Sequence, residues 1–97
     1  MDMDHHLSLA ETPAVAARLR VLRQVIGLPQ NEFCERAGIP ANLWNNYERG
    51  RSRISVDSAI RLMVVYHVTL DYIYVDDASN LPYKLAAAIA AVRSARE

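Results

Sequence analysis

The chain has 97 residues, of which 52 % are hydrophobic and 23 % are charged, with a net charge of zero and one cysteine. This length predicts one small domain, and the apolar fraction is too high for a disordered chain. A single cysteine excludes an intramolecular disulfide and favours a reducing compartment, so we expect the cytoplasm. No apolar run is long enough to span a membrane, and the N-terminal MDMDHHLSLA does not have the form of a signal peptide.

The first half of the chain is predicted to form three helices after a flexible arm over residues 1–11. Thr12 is the expected N-cap of the first helix and Pro13 its first residue. Apolar residues then recur at helical spacing up to the glycine at position 27. The second helix is expected over residues 30–37 and the third over residues 41–48, since each follows a proline and precedes a glycine.

The second half is predicted to form three more helices. Ser55 is the expected N-cap of a helix in which apolar residues recur at helical spacing, namely Val56, Ile60, Met63 and Val64. Thr69 is expected to cap a short helix over LDYIYV, because this segment has no partner strand in the chain. The last helix begins near residues 80–82. We therefore predict an all-α fold, with five helices over residues 12–76 and an additional helix in a C-terminal extension over residues 77–97.

The C-terminal part carries more apolar surface than five short helices need. The residues concerned are Tyr66, Tyr72, Tyr74, Leu81, Tyr83, Leu85, Ile89 and Val92. One interpretation is that the last helix packs back on its own domain. The other, which we favour, is that part of this surface forms a homodimer interface.

Positive charge is concentrated in the middle of the chain, although the net charge is zero. Residues 18–61 contain eight arginines and four acidic residues, a net charge of +4, while the other acidic residues lie toward the two ends. Such a distribution allows one face to bind a polyanion. A solvated surface of mixed charge is the alternative explanation.

Two short helices joined by a glycine-containing turn are typical of a helix-turn-helix unit, and residues 30–37, 38–40 and 41–48 have suitable lengths. In that unit the second helix enters the DNA major groove. Its inward side is predicted to be Leu43, Trp44 and Tyr47, and its outward side Ala41, Asn42, Asn45 and Asn46. An asparagine amide matches the N6 and N7 atoms of adenine, although a merely polar surface would also explain these residues. The arginines that follow, Arg49, Arg51 and Arg53, suit phosphates.

Five segments resemble the lambda-repressor/Cro-like helix-turn-helix family, the XRE-type regulators. They are RLRVLR (18–23), GLPQ (27–30), ERAGI (35–39), YERG (47–50) and VTLDYI (68–73). The resemblance spans residues 15–76, and the order and spacing of the segments make it specific. It implies a five-helix DNA-binding domain, found in bacterial regulators, that binds two-fold operators as a homodimer.

The resemblance also implies roles for individual residues. Gln30 would contact a phosphate, and an ion pair of Arg23 with Glu48 would tie the first helix to the end of the recognition helix. The implied base-reading positions are Ala41, Asn42 and Asn46, with Asn45 as a neighbour able to reach base or backbone. The chain departs from the family in two respects. Prolines 29 and 40 replace common hydroxyl residues, and the recognition helix has no basic residue, which leaves the specificity unassigned.

We expect a DNA-binding transcriptional regulator, most simply a repressor, that needs no metal or cofactor and is not an enzyme. The adjacent His5 and His6 have no cysteine or third histidine nearby in the sequence, and no catalytic constellation is present. A second hypothesis is an antitoxin that neutralises a toxin as well as binding DNA, with the apolar C-terminal helix as its surface for the protein partner. A third is a structural or enzyme-associated module with vestigial DNA binding.

Overall fold

The computed structural model describes residues 2–96, the last of these in backbone only, so Met1 and Glu97 of the predicted terminal segments lie outside the described residues. Within this range the chain forms seven α-helices and no strand, which confirms the predicted all-α fold. The helices are α1 (Met3–Leu9), α2 (Thr12–Ile26), α3 (Gln30–Ala37), α4 (Ala41–Glu48), α5 (Val56–Tyr66), α6 (Leu70–Val75) and α7 (Tyr83–Arg96).

The segment expected to be a flexible arm contains α1. Asp2 caps this helix by accepting a hydrogen bond from the amide of Asp4 at 3.1 Å. None of the residues of α1 is buried, so tertiary hydrogen bonds at its end hold it in place. Arg18 donates to the carbonyl of Leu9, and Arg53 donates to the carbonyl of Ala10. These partners are distant in sequence, which is why local periodicity does not predict the helix.

The predicted N-caps of α5 and α6 are observed, and the N-cap of α2 lies one residue before the predicted one. Glu11, rather than Thr12, is the N-cap of α2, because the carbonyl of Glu11 accepts the first helical hydrogen bond from Val15 at 3.0 Å. Ser55 caps α5 through its hydroxyl at 3.1 Å from the amide of Ser58, as predicted. Thr69 caps α6 in the same way, so LDYIYV is a helix.

Helix α2 lies at the centre of the fold and contacts α1, α4, α6 and α7. Its buried residues include Val15, Leu19 and Leu22, each at most 1 % exposed. On another side of the core Phe33 stacks on Tyr66, with ring centroids 4.4 Å apart, and the Tyr66 hydroxyl donates to the Phe33 carbonyl at 2.7 Å. The aromatic stack therefore joins α3 to α5 across 33 residues of chain.

The C-terminal helix packs back on its own domain. Ile89 is only 2 % exposed, and Arg93 forms an ion pair with Asp76 at 2.8 Å and lies over the ring of Tyr72. Most of the apolar residues that we assigned to a homodimer interface are buried or packed against the core of the same chain: Tyr66, Tyr72, Tyr74, Leu81, Leu85, Ile89 and Val92. Tyr83 alone of that set stays outside, at 86 % exposure. The first of the two interpretations therefore describes α7.

The apolar period that predicted α5 lies on the solvent side of the helix. Val56 and Val64 are 58 % and 66 % exposed, and Ile60 and Met63 are 40 % and 38 % exposed. The core is reached instead by Ser58, Ala59, Leu62 and Tyr66. Periodicity establishes that a segment is helical, but it does not say which of two apolar faces the rest of the chain covers.

Candidate nucleic-acid interface

The turn between α3 and α4 is closed by backbone hydrogen bonds. Gly38 adopts a left-handed conformation with φ of 70°, and its amide and that of Ile39 donate to carbonyls of the last turn of α3 at 3.2 Å and 3.0 Å. Ile39 is buried and fixes the turn on the core, and Pro40 then occupies the N-cap of α4. This geometry is that of a helix-turn-helix unit.

Aromatic side chains fix α4 on the domain. Trp44 is fully buried, and its ring centroid lies 4.8 Å from that of Phe33. The hydroxyl of Tyr47 lies 3.2 Å from Oγ of Ser58, which joins the last turn of α4 to α5. Leu43 packs against the same core. The inward side of α4 is therefore the predicted one.

The opposite side of α4 carries the predicted base-reading residues. Ala41 and Asn42 are exposed, and Asn45 and Asn46 are half-buried. None of the three asparagine side chains makes a hydrogen bond within residues 2–96. Their amides therefore have free donors and acceptors, which is the chemistry that a base edge in a groove requires.

The segment after α4 presents two free guanidinium groups. Arg49 and Arg51 are exposed, and their side chains have no ion pair or hydrogen bond with any described residue. The backbone carbonyl of Asn46 accepts from the amide of Arg51 at 2.9 Å, so the path of this segment is set by the recognition helix itself. Arg53 is exposed but donates from Nη1 to the Ala10 carbonyl at 3.0 Å. One of its five donors is thus committed to α1.

Gln30 is the first residue of α3. Its side chain is half-buried, and its Nε2 is buried without a hydrogen-bond partner. The N-terminus of α3 also lacks a side-chain cap, because Pro29 occupies the N-cap position. Uncapped backbone amides at a helix N-terminus attract anions. Those of α3 lie next to the side-chain amide of Gln30.

Two arginines of α2 hold the end of α4. Arg23 donates from Nε to Oε1 of Glu48 at 2.7 Å, which is the ion pair that the family resemblance implies. The Glu48 side chain is 10 % exposed and that of Arg23 is 31 % exposed. Arg20 donates to the Glu48 backbone carbonyl at 2.5 Å. The C-terminal end of α4 is therefore fixed to α2 through both the side chain and the backbone of one residue.

Sequence reasoning missed the roles of Arg18 and Arg20. Arg18 is 4 % exposed and donates from Nε to the Ile73 carbonyl at 2.9 Å, besides its bond to α1. Burial lowers the pKa of its guanidinium, while the nearby Asp76 opposes that shift. The available signal was its spacing from Val15 and Leu22, which places it on the apolar side of α2. The Arg18 guanidinium is therefore buried and bonded within the domain, and it cannot contact a polyanion.

The described residues contain no group of three or more side chains that could hold a metal ion. None of their helices combines the length and the apolar character that a membrane span requires. Cys34 is buried, and burial raises the pKa of its thiol. A buried thiol of raised pKa is a poor nucleophile.

Comparison with known proteins agrees with this geometry. No curated protein and no solved structure matches the chain significantly. The sequence model of a family described as a helix-turn-helix domain matches residues 14–72, which is more than half of the chain and runs from the start of α2 into α6. Membership supports a DNA-binding regulator in general, and such families are typically non-enzymatic. The chain belongs to this helix-turn-helix domain family of the XRE/lambda-repressor type.

Proposed function

We propose that the protein is a sequence-specific regulator of transcription, a repressor, that binds double-stranded DNA as a homodimer with α4 in the major groove. The observation that carries this proposal is the division of α4 into two sides. Trp44 and Tyr47 anchor one side, while Ala41 and Asn42 are exposed on the other with free hydrogen-bonding groups in the neighbouring asparagines. A bacterial regulator of this kind meets its DNA in the cytoplasm.

We assign base reading to Asn42 and Asn46, with Ala41 allowing close approach and Asn45 reaching base or backbone. A bidentate asparagine–adenine pair contributes roughly 1–3 kcal/mol of discrimination against a wrong base. With no basic residue in α4, half-sites that contain A·T pairs fit these side chains best. Repression follows most simply from a dimer that occupies its operator and blocks access to it.

We assign phosphate contacts to Gln30, Arg49, Arg51 and Arg53. Arg49 and Arg51 are free to bind, and Gln30 lies at an uncapped helix N-terminus. Arg53 can contribute its remaining donors while it keeps its bond to Ala10. Such contacts place the protein on the duplex and carry no sequence information.

The test is selection of binding sites from a random pool of double-stranded DNA, followed by measurement of affinity against salt concentration. We expect a palindrome with half-site centres about 10–11 base pairs apart and a steep salt dependence. Asn46→Ala should relax specificity at one position of each half-site. Arg51→Ala should weaken binding to all sequences alike and reduce the salt slope by about one. If both variants changed binding in the same way across a panel of sites, the division of roles would be wrong.

The antitoxin-type alternative required an apolar surface on the C-terminal helix. In the structure that helix places Ile89 in the core and Arg93 against Asp76. The apolar surface that this hypothesis needs is therefore largely packed within the chain, and no observation supports a toxin-binding role.

A further inference from the structure

The most prominent unpartnered surface is the outer side of α5. Seven large apolar side chains are exposed in the described residues, and four of them lie on this one helix. They are Val56, Ile60, Met63 and Val64, which we call the α5 stripe. Exposed apolar residues that lie singly on a surface need no explanation, but a stripe along about two turns of one helix is typical of an interface.

We propose that the α5 stripe is the surface through which two copies of this chain associate, with the two α5 helices antiparallel across a two-fold axis. This proposal rests on the proposed function, because a two-fold operator calls for a two-fold dimer, and it deepens that function by naming the interface. The proposal also moves the dimer interface from the C-terminal helix to α5, because the apolar side of the C-terminal helix is covered by its own domain.

Charge complementarity identifies the partner as a second copy. At about 100° per residue, Asp57 and Arg61 flank the stripe on the same side of the helix. Both are exposed, and neither forms an ion pair with any described residue. In an antiparallel pair related by a two-fold axis, this flank of one chain lies beside the same flank of the other, and the two run in opposite directions. Asp57 of each chain therefore lies near Arg61 of the other. A pairing centred on Ile60 also places Val56 against Val64 of the second copy.

The surface beside the stripe extends the contact. A cleft of about 350 Å³ lies between α3 and α5, and its walls include Ile60, Val64 and the turn at Gly38. It is shallow and partly apolar, and it is next to the stripe, so a side chain of the second copy can enter it. Burial of apolar area here adds to that of the helix pair.

The stripe is directed away from the end of the recognition helix. Ser58, on the inward side of α5, touches Tyr47 at the end of α4. The stripe lies on the opposite side of α5 from Ser58, and therefore away from that contact. Association through the stripe therefore leaves the contact between Tyr47 and Ser58 at the end of α4 uncovered.

The experiment compares the full chain with Ile60→Glu/Val64→Glu by sedimentation equilibrium, with helix content followed by circular dichroism. The matched control is Tyr83→Glu, because Tyr83 is a highly exposed apolar residue outside the stripe. We expect a wild-type and control dimer and a folded double variant whose dimer dissociation constant is at least about tenfold higher, since two buried carboxylates face their copies. A monomeric wild-type chain, or a double variant that dimerises like the wild type, would overturn the proposal.

Charge reversal and cross-linking test the antiparallel arrangement directly. Asp57→Arg and Arg61→Asp should each weaken the dimer, and the combination should restore it. Ile60→Cys should form a disulfide-linked dimer under oxidation and Tyr83→Cys should not, while the native Cys34 is buried. If the combination failed to restore the dimer, the antiparallel pairing would be wrong. These outcomes are separate from DNA selection: a dimer that enriches no DNA sequence would contradict the proposed function and leave the interface supported.

Discussion

The ion pair at the end of α4 tests how burial changes the contribution of a charged side chain to the free energy of unfolding. The change is Glu48→Gln, which keeps the shape of the side chain and removes its charge. In the wild type Arg23 Nε lies 2.7 Å from Oε1 of Glu48, and the two side chains are 31 % and 10 % exposed. The bond from Arg20 to the backbone carbonyl of Glu48 does not depend on the carboxylate, so only the Arg23 contact is changed.

The size of the effect follows from the exposure of the two partners. Loss of one partner from a fully buried ion pair costs about 3–5 kcal/mol, and loss of an exposed pair costs about 0.2–1 kcal/mol. Arg23 keeps partial access to water, so it can be hydrated when the carboxylate is removed. We therefore expect Glu48→Gln to lower the free energy of unfolding by about 1–2 kcal/mol, between these limits.

The assay is urea denaturation followed by circular dichroism, and the matched control is Glu32→Gln. Glu32 pairs with Arg36 at 2.9 Å, but the side chains of this pair are 48 % and 56 % exposed. The control should lose less than about 0.5 kcal/mol, whereas Glu48→Gln should shift the midpoint by about 1 M urea with an unchanged slope. Equal losses in the two variants would refute the argument that burial, rather than distance, sets the difference.

Four further predictions concern individual residues. Gly38→Ala should cost about 1–2 kcal/mol, and Gly27→Ala a similar amount, because both glycines have φ of at least 70° and only a movable arginine tip lies near the former. Tyr72→Phe should be nearly neutral at pH 7, since its hydroxyl has no partner, whereas Tyr66→Phe should lose about 1 kcal/mol. Burial raises the pKa of Tyr72, so the wild-type protein should lose stability above about pH 10, and Tyr72→Phe should reduce that loss. Cys34 should react with a thiol reagent far more slowly in the folded protein than in urea.

Each of these has a contrary outcome. A Gly38→Ala loss several times that of Gly27→Ala would place the cost in the contact with Arg61 rather than in the backbone angle. The wild-type protein loses stability at alkaline pH because the unfolded chain releases the Tyr72 phenol proton at lower pH than the folded protein does. A larger loss of stability at alkaline pH in Tyr72→Phe would contradict this prediction. Rapid labelling of native Cys34 would show that its surroundings open without unfolding.

Local signals in the sequence were sufficient for much of the fold. Proline before and glycine after a short polar segment defined α3 and α4, and the hydroxyls of Ser55 and Thr69 defined the starts of α5 and α6. These features act within a few residues of each other, so they can be read without tertiary information. The inward side of α4 was predictable for the same reason, because Trp44 and Tyr47 are one turn apart.

Features that depend on distant parts of the chain were not predictable. The helix over Met3–Leu9 is held by Arg18 and Arg53, and the assignment of Arg53 to phosphate overlooked its bond to Ala10. In α5 the apolar residues whose spacing predicted the helix lie on its solvent side, whereas the side that faces the core includes small residues such as Ser58. The roles of the outward residues of α4 stay predictions, because exposure shows only that they are available for binding.

The central location of α2 has a consequence for the motions of the protein. Its arginines reach different partners, since Arg18 donates to α1 and α6 while Arg20 and Arg23 hold the end of α4. Amide protons in the middle of α2 should therefore exchange with deuterium only when the whole domain unfolds. Those of α1, which has no buried residue, should exchange through local opening. Helix α2 therefore contributes to the rigidity of the recognition helix, although the proposed complex assigns it no contact with DNA.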